Sequence, residues 1–341
     1  MLKSSRTELW SSYDLAILDL DGVVYIGPDS VPGAADDLAA AAAAGMKLAY
    51  VTNNASRPPR AVAAHLSELG VPAQETDVVT SAQAAARLLA TDLAPGAAVY
   101  VIGGPGLVEA LAEQGLRPVQ SAADGPAAVV SGFYADLTWR TVAEGAILVA
   151  RGLPWVASNT DMSVPTPAGR GPGNGVLVEA VASFAGRRPT VAGKPLAPLF
   201  DETRRRVGGD RPLVVGDRLD TDIEGAHNAG LDSLLVLTGV TGVPELVAAS
   251  PAQRPSYISV GLAGLGMAHP APEHTPDGVL LGGWCAAVEA GYLRITGTGH
   301  RDDWWRVLAC AAWAHLDDTG QSVDTSGVAE PGSVGNRDQG R

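Results

Sequence analysis

"ILDLDGVVY" (residues 17–25) is an apolar run that carries two carboxylates around a single leucine. Successive side chains of a β-strand point to opposite faces, so Asp19 and Asp21 lie on the same side of the chain. Like charges this close repel each other, and burying either one without a partner is costly. Two interpretations follow: solvated acids at the end of a strand, or carboxylates that hold a metal cation between them.

The fold class follows from the alternation of short β-branched runs with Ala/Leu-rich helical stretches. This pattern is typical of a parallel sheet with crossover helices. We predict strands at residues 15–20 and 47–52 and a helix over residues 33–44 that Gly45 ends. The sequence therefore predicts an α/β protein with a doubly wound, mostly parallel sheet.

The same patterns divide the chain into segments. The alternation of core strands and helices is interrupted and resumes later in the chain. The residues in between have strands and helices of their own, which predicts an inserted α/β cap. A proline-rich stretch predicts a linker, and the small polar residues at the end predict disorder. The predicted segments are a core (1–81 and 189–266), the cap (82–188), the linker (267–278), a small C-terminal α+β extension (279–320) and a disordered tail (321–341).

Composition restricts the partners. The 341 residues include 24 Lys and Arg against 37 Asp and Glu, a formal charge of −13, which argues against nucleic acid and anionic membranes. We find no long apolar segment that predicts a signal peptide or membrane insertion. Cys285 and Cys310 suggest no disulfide framework, so a reducing, cytoplasmic location is expected. A homodimer is retained as an alternative to a monomer.

Four polar motifs each follow directly on an apolar run. They are DLDG (19–22), TNNAS (52–56), GKP (193–195) and GDRLDTDI (216–223). Each therefore falls at the carboxyl end of a predicted parallel strand, where open α/β sheets bind their ligands. One such motif is weak evidence, but four in this order are strong evidence for a site.

With these motifs the chain resembles the haloacid dehalogenase superfamily of phosphohydrolases. It is similar to the branch with a large cap between the second and third motifs, which includes phosphoglycolate, pyridoxal phosphate, nitrophenyl phosphate and glycerol phosphate phosphatases. The resemblance covers roughly residues 13–266, including the cap stretch SNTDMSVPTPAGRGPGNG (158–175). The additional C-terminal extension is similar to the arrangement in actinobacterial glycerol 3-phosphate phosphatases.

The resemblance implies a Mg²⁺-dependent phosphomonoesterase. Asp19 would be the nucleophile that forms an aspartyl-phosphate, and Asp21 the acid and then the base. Mg²⁺ would bind the Asp19 carboxylate, the backbone carbonyl of Asp21 and Asp217. Asp222 would be a further ligand through water or would orient the others, and part of its role is expected to be helix capping. Gly22 lets the backbone turn beside the phosphate, where a side chain would intrude.

The implied phosphate site consists of Thr52, the backbone N–H of Asn53 and Lys194, which spread the charge of the transition state. The alternative for Lys194 is an ordinary surface lysine before a helix. In the cap, Asp161 and Arg170 are candidate substrate contacts, chosen only from their place in the motif.

Glycerol 3-phosphate is the first expected substrate, a choice that rests on the domain arrangement and on a cap that closes over small substrates. Phosphoglycolate and pyridoxal phosphate are the alternatives within the class. A phospho-Asp receiver or other binding module is disfavoured, because it needs neither Asp21 nor a cap. RITGTG (294–299) matches the R-x-x-G-x-G pattern of acetyltransferases, so an acyl-CoA-binding extension is a further alternative to a simple hairpin turn. The extension contains none of the four motifs.

Overall fold

The secondary structure comes from a computed structural model that describes residues 2–166 and 169–331. Its strands, numbered in chain order, are β1 (Leu15–Leu18), β2 (Tyr25–Ile26), β3 (Asp29–Ser30), β4 (Lys47–Thr52), β5 (Val78–Thr80), β6 (Ala98–Ile102), β7 (Arg117–Val119), β8 (Ala128–Ser131), β9 (Trp155–Ala157), β10 (Ser163–Thr166), β11 (Gly169–Pro172), β12 (Thr190–Val191), β13 (Pro212–Gly216), β14 (Asp232–Val236), β15 (Tyr257–Ser259), β16 (Glu273–Thr275), β17 (Gly278–Leu281), β18 (Trp284–Glu289) and β19 (Tyr292–Gly297). Its helices are α1 (Leu9–Ser12), α2 (Ala34–Ala43), α3 (Pro59–Glu68), α4 (Ser81–Asp92), α5 (Pro105–Glu113), α6 (Trp139–Ala150), α7 (Asn174–Ala185), α8 (Pro198–Val207), α9 (Glu224–Asn228), α10 (Val243–Val247) and α11 (Arg301–Thr319).

The first sheet is entirely parallel, with strand order β15-β14-β13-β1-β4-β5. Side chains of β1 alternate between two buried clusters, with Ile17 in one and Leu18 in the other. Both faces of the sheet are therefore covered, which is why its strands are continuous apolar runs. The predicted doubly wound α/β core is confirmed.

The second sheet, β12-β9-β8-β6-β7, is also parallel and lies in the predicted cap segment. One predicted boundary differs from the structure. Thr190 and Val191 pair with β9 of this second sheet, although the predicted second part of the core begins at residue 189. The chain leaving α7 adds one short strand to the cap before it returns to the first sheet.

The C-terminal extension is an antiparallel sheet, β16-β17-β18-β19, with α11 packed against it. Strand β16 lies inside the predicted linker 267–278, which is therefore wrong from Glu273 onward. The predicted tail is wrong for residues 321–331, because Val323 is buried and Asp324 bridges to Tyr292. Residues 332–341 of that tail lie outside the described residues.

The extension packs on the core through α11. Trp304, Trp305 and Trp313 of α11 are buried in one cluster with core residues such as Ile258. At the start of α11, the carboxylate of Asp302 accepts hydrogen bonds from Ser259 Oγ (2.8 Å) and Val260 N (2.9 Å).

Among the described residues, no helix has both the length and the apolar character needed to cross a bilayer.

Candidate active site

Three adjacent strands bring the motifs to one edge of the first sheet. Strand β1 lies between β4 and β13, and all three run in the same direction. Asp19 follows β1, Thr52 ends β4 and Asp217 follows β13. The residues meet because the carboxyl ends of parallel strands share an edge.

A compact cluster of carboxylates lies at this edge. One oxygen from each of Asp19, Asp217 and Asp222 lies within 4.8 Å of the others. Lys194 Nζ donates to Asp19 Oδ1 (2.7 Å) and to Asp222 Oδ1 (2.6 Å), and its side chain is only 3 % exposed. One ammonium against three carboxylates leaves the cluster short of positive charge.

The donor set fits a Mg²⁺ ion. Asp217 Oδ1 is buried and has no hydrogen-bond partner within residues 2–166 and 169–331, whereas Oδ2 accepts from Val240 N (2.7 Å). A buried carboxylate oxygen without a partner is costly, and such oxygens are the ligands that hard cations prefer. Burial, together with the charges of Asp19 and Asp222, raises the pKa of Asp217 to about 7. A bound cation would remove this penalty.

Asp21 has the environment of an acid–base group. Burial, followed by the charge of Asp19, raises the pKa of Asp21 to about 6. A carboxyl group with a pKa near neutrality can deliver a proton and take one back, as its predicted role requires.

Gly22 permits the close approach between the first and fourth motifs. Its φ is +84°, and a Cβ atom at this position would lie 2.5 Å from Asp217 Oδ2. Both the left-handed backbone and the absence of a side chain are therefore needed here.

Replacing Gly22 with alanine is expected to lower kcat/KM by about 10²-fold, because it displaces the Asp217 carboxylate. Gly27→Ala is the matched control, since Gly27 also has a positive φ (+61°) but open space around its Cβ position. Steady-state phosphate release with both variants measures the difference. Equal losses in the two would mean that backbone strain, and not the contact with Asp217, is responsible.

The second motif anchors Lys194, and its predicted contact with the phosphate stays a prediction. Asn53 Oδ1 accepts from Lys194 N (2.8 Å), and Asn53 Nδ2 donates to Lys194 O (3.1 Å). The resemblance implies a role only for the backbone N–H of Asn53, and these side-chain contacts with a residue 141 positions away have no local signature in the sequence. Thr52 Oγ1 accepts from Asn54 N (3.0 Å), which leaves the hydroxyl proton available to donate.

Of the two cap candidates, Asp161 contacts the site through Asn53, whereas Arg170 lies on an exposed hairpin. Asn53 Nδ2 donates to both Asp161 oxygens (3.2 and 3.1 Å), and Asn159 Nδ2 donates to Asn53 O (2.6 Å). Arg170 is exposed on the hairpin of β10 and β11, where its Nε donates to Ser163 Oγ (2.7 Å). Its contact with a substrate stays a prediction.

A fifth segment of the site was missed. The loop after β14 supplies Val240 N to Asp217 Oδ2, Thr241 Oγ1 to Asp217 O (2.6 Å) and Thr238 Oγ1 to Gly22 O. The available signal was the stretch TGVTG (238–242) directly after a predicted strand. Since β14 neighbours β13, its carboxyl end lies at the same edge of the sheet.

Two glycines of the RITGTG segment pack closely against a neighbouring turn. A Cβ atom on Gly297 would collide with Gly283 O, and one on Gly299 would collide with Gly282 O, so these glycines are explained by their contact with the turn at 282–283. The first turn of α11 carries Asp302 and Asp303, whose charges repel an anion. These contacts favour the structural interpretation of the segment.

Comparisons with known proteins agree with this geometry. A haloacid dehalogenase-like hydrolase model matches residues 16–117, and a HAD-hydrolase-like model matches residues 191–265. D-glycerol 3-phosphate phosphatase of Mycobacterium tuberculosis is 44% identical over 296 residues, 85% of this chain and 80% of that protein. A 5′-nucleotidase of Bacillus subtilis is 36% identical over 232 residues, 67% of this chain and 89% of its own.

The fold similarity extends over 90% of the chain. The crystal structure of glycerol phosphate phosphatase from Mycobacterium tuberculosis in complex with magnesium superposes with a TM-score of 0.82 and 42% identity, covering 90% of this chain and 92% of that one. Sequence, fold and the carboxylate cluster agree, and the chain belongs to the haloacid dehalogenase-like hydrolases.

Proposed function

We propose that this protein is a Mg²⁺-dependent phosphomonoesterase that hydrolyses glycerol 3-phosphate to glycerol and phosphate. The observation that carries the proposal is the unpartnered, buried Asp217 Oδ1 beside Asp19 and the Lys194 ammonium. The 44% identity to a D-glycerol 3-phosphate phosphatase supports the choice of substrate.

The reaction divides into two displacements at phosphorus. In the first, a carboxylate oxygen of Asp19 attacks phosphorus, the ester P–O bond breaks, and protonated Asp21 gives its proton to the leaving alkoxide. In the second, the Asp21 carboxylate takes a proton from water as this water attacks the aspartyl-phosphate, and the Asp19 carboxylate is released. Lys194, hydrogen-bonded to Asp19 Oδ1, is positioned to bind a phosphate oxygen throughout.

Mg²⁺ would be held by the Asp19 carboxylate, the Asp21 carbonyl and Asp217, and it would supply positive charge to the transferring phosphoryl group. The contacts of Asp222 favour an orienting role over direct binding. Its Oδ1 accepts from Lys194 Nζ and its Oδ2 accepts from Arg218 N (3.1 Å), so both oxygens already hold the chain in place.

The negative charge of Asp161 in the cap favours a substrate whose leaving group is uncharged. Asp161 presents a carboxylate at the contact between cap and core, where it can accept hydrogen bonds from substrate hydroxyls. The carboxylate of phosphoglycolate would meet a like charge there, which costs affinity. Glycerol 3-phosphate is therefore preferred over phosphoglycolate, with pyridoxal phosphate and a nucleoside monophosphate as the further competitors.

A substrate panel tests this proposal. Purified enzyme with Mg²⁺ is given glycerol 3-phosphate, phosphoglycolate, pyridoxal phosphate and a nucleoside 5′-monophosphate, and released phosphate is measured. We expect the highest kcat/KM for glycerol 3-phosphate and no turnover with excess chelator. A higher kcat/KM for any other ester would overturn the substrate assignment, and undiminished turnover with chelator would overturn the metal dependence.

Calcium is expected to inhibit. Ca²⁺ binds oxygen ligands at 2.3–2.6 Å with a loose shell, whereas Mg²⁺ requires near-octahedral geometry at 2.0–2.1 Å. Longer and more variable bonds would hold the Asp19 oxygen less well for attack on phosphorus. Adding Ca²⁺ at fixed Mg²⁺ should lower phosphate release competitively with Mg²⁺; activation by Ca²⁺ equal to that by Mg²⁺ would contradict the proposed site.

The remaining partner assignments rest on composition. The proposed partner is a small phosphorylated metabolite, and the net charge of −13 supports the expectation of no nucleic acid or membrane partner. Cys285 and Cys310 are both free thiols, which suits a cytoplasmic location. Light scattering after size exclusion decides between a monomer and a homodimer.

A further inference from the structure

The orientation of Asp217 depends on the loop at residues 238–242. Val240 N donates to Asp217 Oδ2 (2.7 Å), and the backbone carbonyl of Asp217 accepts from Thr241 N (3.2 Å) and Thr241 Oγ1 (2.6 Å). With Oδ2 and the carbonyl engaged in this way, Oδ1 is the oxygen left without a hydrogen-bond partner among the described residues. The loop therefore decides which carboxylate oxygen is available to a cation.

This loop continues directly into α10, a helix of five residues. Such a short helix has little stability of its own and depends on tertiary contacts. Its Leu246 carbonyl accepts a hydrogen bond from Trp313 Nε1 (2.8 Å), and both residues are buried. The Trp313 ring is in turn covered by the Arg254 guanidinium, 5.4 Å from its centre, and Arg254 pairs with Asp317 of α11.

The other acidic segment of the site rests on the same cluster. Leu219 and Ile223, which flank Asp222 on either side, belong to one buried apolar cluster with Leu246 and with Trp313 of α11. The extension is therefore packed beneath both segments that present the buried carboxylates. A shift of α11 would displace these two segments, because close-packed interiors transmit displacements.

We propose that Trp313 is a positioning residue for the metal site, acting through α10 and the 238–242 loop on Asp217. The C-terminal extension, which contributes no motif residue, thereby sets the affinity of the site for Mg²⁺. This inference rests on the proposed function, because it concerns the same metal site.

The first test compares two buried tryptophans of α11. Trp313→Phe removes the donor to Leu246 O, whereas Trp305→Phe removes a donor whose acceptor, Glu330, lies outside α10 and the 238–242 loop. Titration calorimetry measures the Mg²⁺ Kd of each folded variant without substrate. We expect Trp313→Phe to raise the Kd about fivefold and Trp305→Phe to leave it within twofold. Equal Kd values for the two variants would overturn the proposal.

The second test addresses the link at the loop. Thr241→Val removes the hydroxyl that donates to Asp217 O and is expected to raise the Mg²⁺ Kd about tenfold, whereas Thr241→Ser keeps the donor and the affinity. In substrate assays at saturating Mg²⁺, Trp313→Phe should reach most of the wild-type kcat. An unchanged Mg²⁺ Kd in Thr241→Val would contradict the proposed role of the 238–242 loop in orienting Asp217.

Should Trp313→Phe not fold, Arg254→Met carries the same test, since it removes the guanidinium over the indole while α10 keeps its hydrogen bond. The Mg²⁺ Kd of Arg254→Met should also rise, and an unchanged value overturns the proposal. Failure of the proposed function has a different signature, because the wild-type protein itself would then bind no Mg²⁺ in the calorimeter.

Discussion

Asp19→Asn is expected to lower kcat by about 10⁴-fold or more while leaving the fold intact, because an amide oxygen is not a nucleophile toward phosphorus. The substitution keeps the size and shape of the side chain. It also removes one of three clustered carboxylates, and Lys194 retains its contact with Asp222. The thermal midpoint without metal should therefore be unchanged or higher.

The measurement is phosphate release per folded molecule, with Asp36→Asn as the matched control. Asp36 is an exposed carboxylate on α2 that belongs to none of the four motifs, and its replacement should leave turnover unchanged. After an acid quench, mass spectrometry of the wild type should detect phosphate on the peptide that contains Asp19. Wild-type turnover in Asp19→Asn would exclude the covalent mechanism.

The central sheet and its site edge were predictable because they depend on local patterns. Strand β4 matches the predicted residues 47–52, and α2 (Ala34–Ala43) lies within the predicted 33–44 before Gly45. Strands buried on both faces appear as apolar runs, and a polar motif after such a run marks the carboxyl end. Asp19, Thr52 and Asp217 could therefore be assigned to one edge from their positions alone.

The parts that the sequence did not reveal depend on contacts between distant segments. The Asn53 amide joins Asp161, 108 residues away, and Lys194, 141 residues away. The two-residue strand Thr190–Val191 is too short to show the alternation of apolar and polar residues that marks a strand. Its pairing with the cap sheet could therefore not be predicted. The indole bond from Trp313 to Leu246 likewise has no signature in either segment.

Lys194→Met is expected to destabilise the metal-free protein and to lower kcat/KM by about 10³-fold. The buried ammonium pairs with Asp19 and Asp222, so its removal leaves these two carboxylates without an ion-pair partner among the described residues. Breaking a buried pair in this way lowers the free energy of unfolding by about 3–5 kcal/mol. Lys47→Met is the control, because Lys47 is exposed and, within the described residues, the hydrogen bond of its ammonium is to Val207 O.

The loss of stability in Lys194→Met should depend on pH. Burial already raises the pKa of Asp222 to about 6, and the charge of Lys194 opposes this shift, so removing Lys194 raises the pKa further. The folded variant then binds protons more tightly than the unfolded chain, and its stability falls as the pH rises through the folded pKa. Chemical denaturation should therefore separate variant and wild type more at pH 8 than at pH 5.

Mg²⁺ distinguishes the two roles of Lys194. Binding to the folded state alone stabilises it, so saturating Mg²⁺ should recover much of the free energy of unfolding in Lys194→Met. Turnover should stay low under the same conditions, because the cation cannot replace the ammonium donor aimed at the phosphate. Full recovery of phosphate release with Mg²⁺ would reduce Lys194 to a counter-ion, and wild-type stability of the metal-free variant at pH 8 would remove even that role.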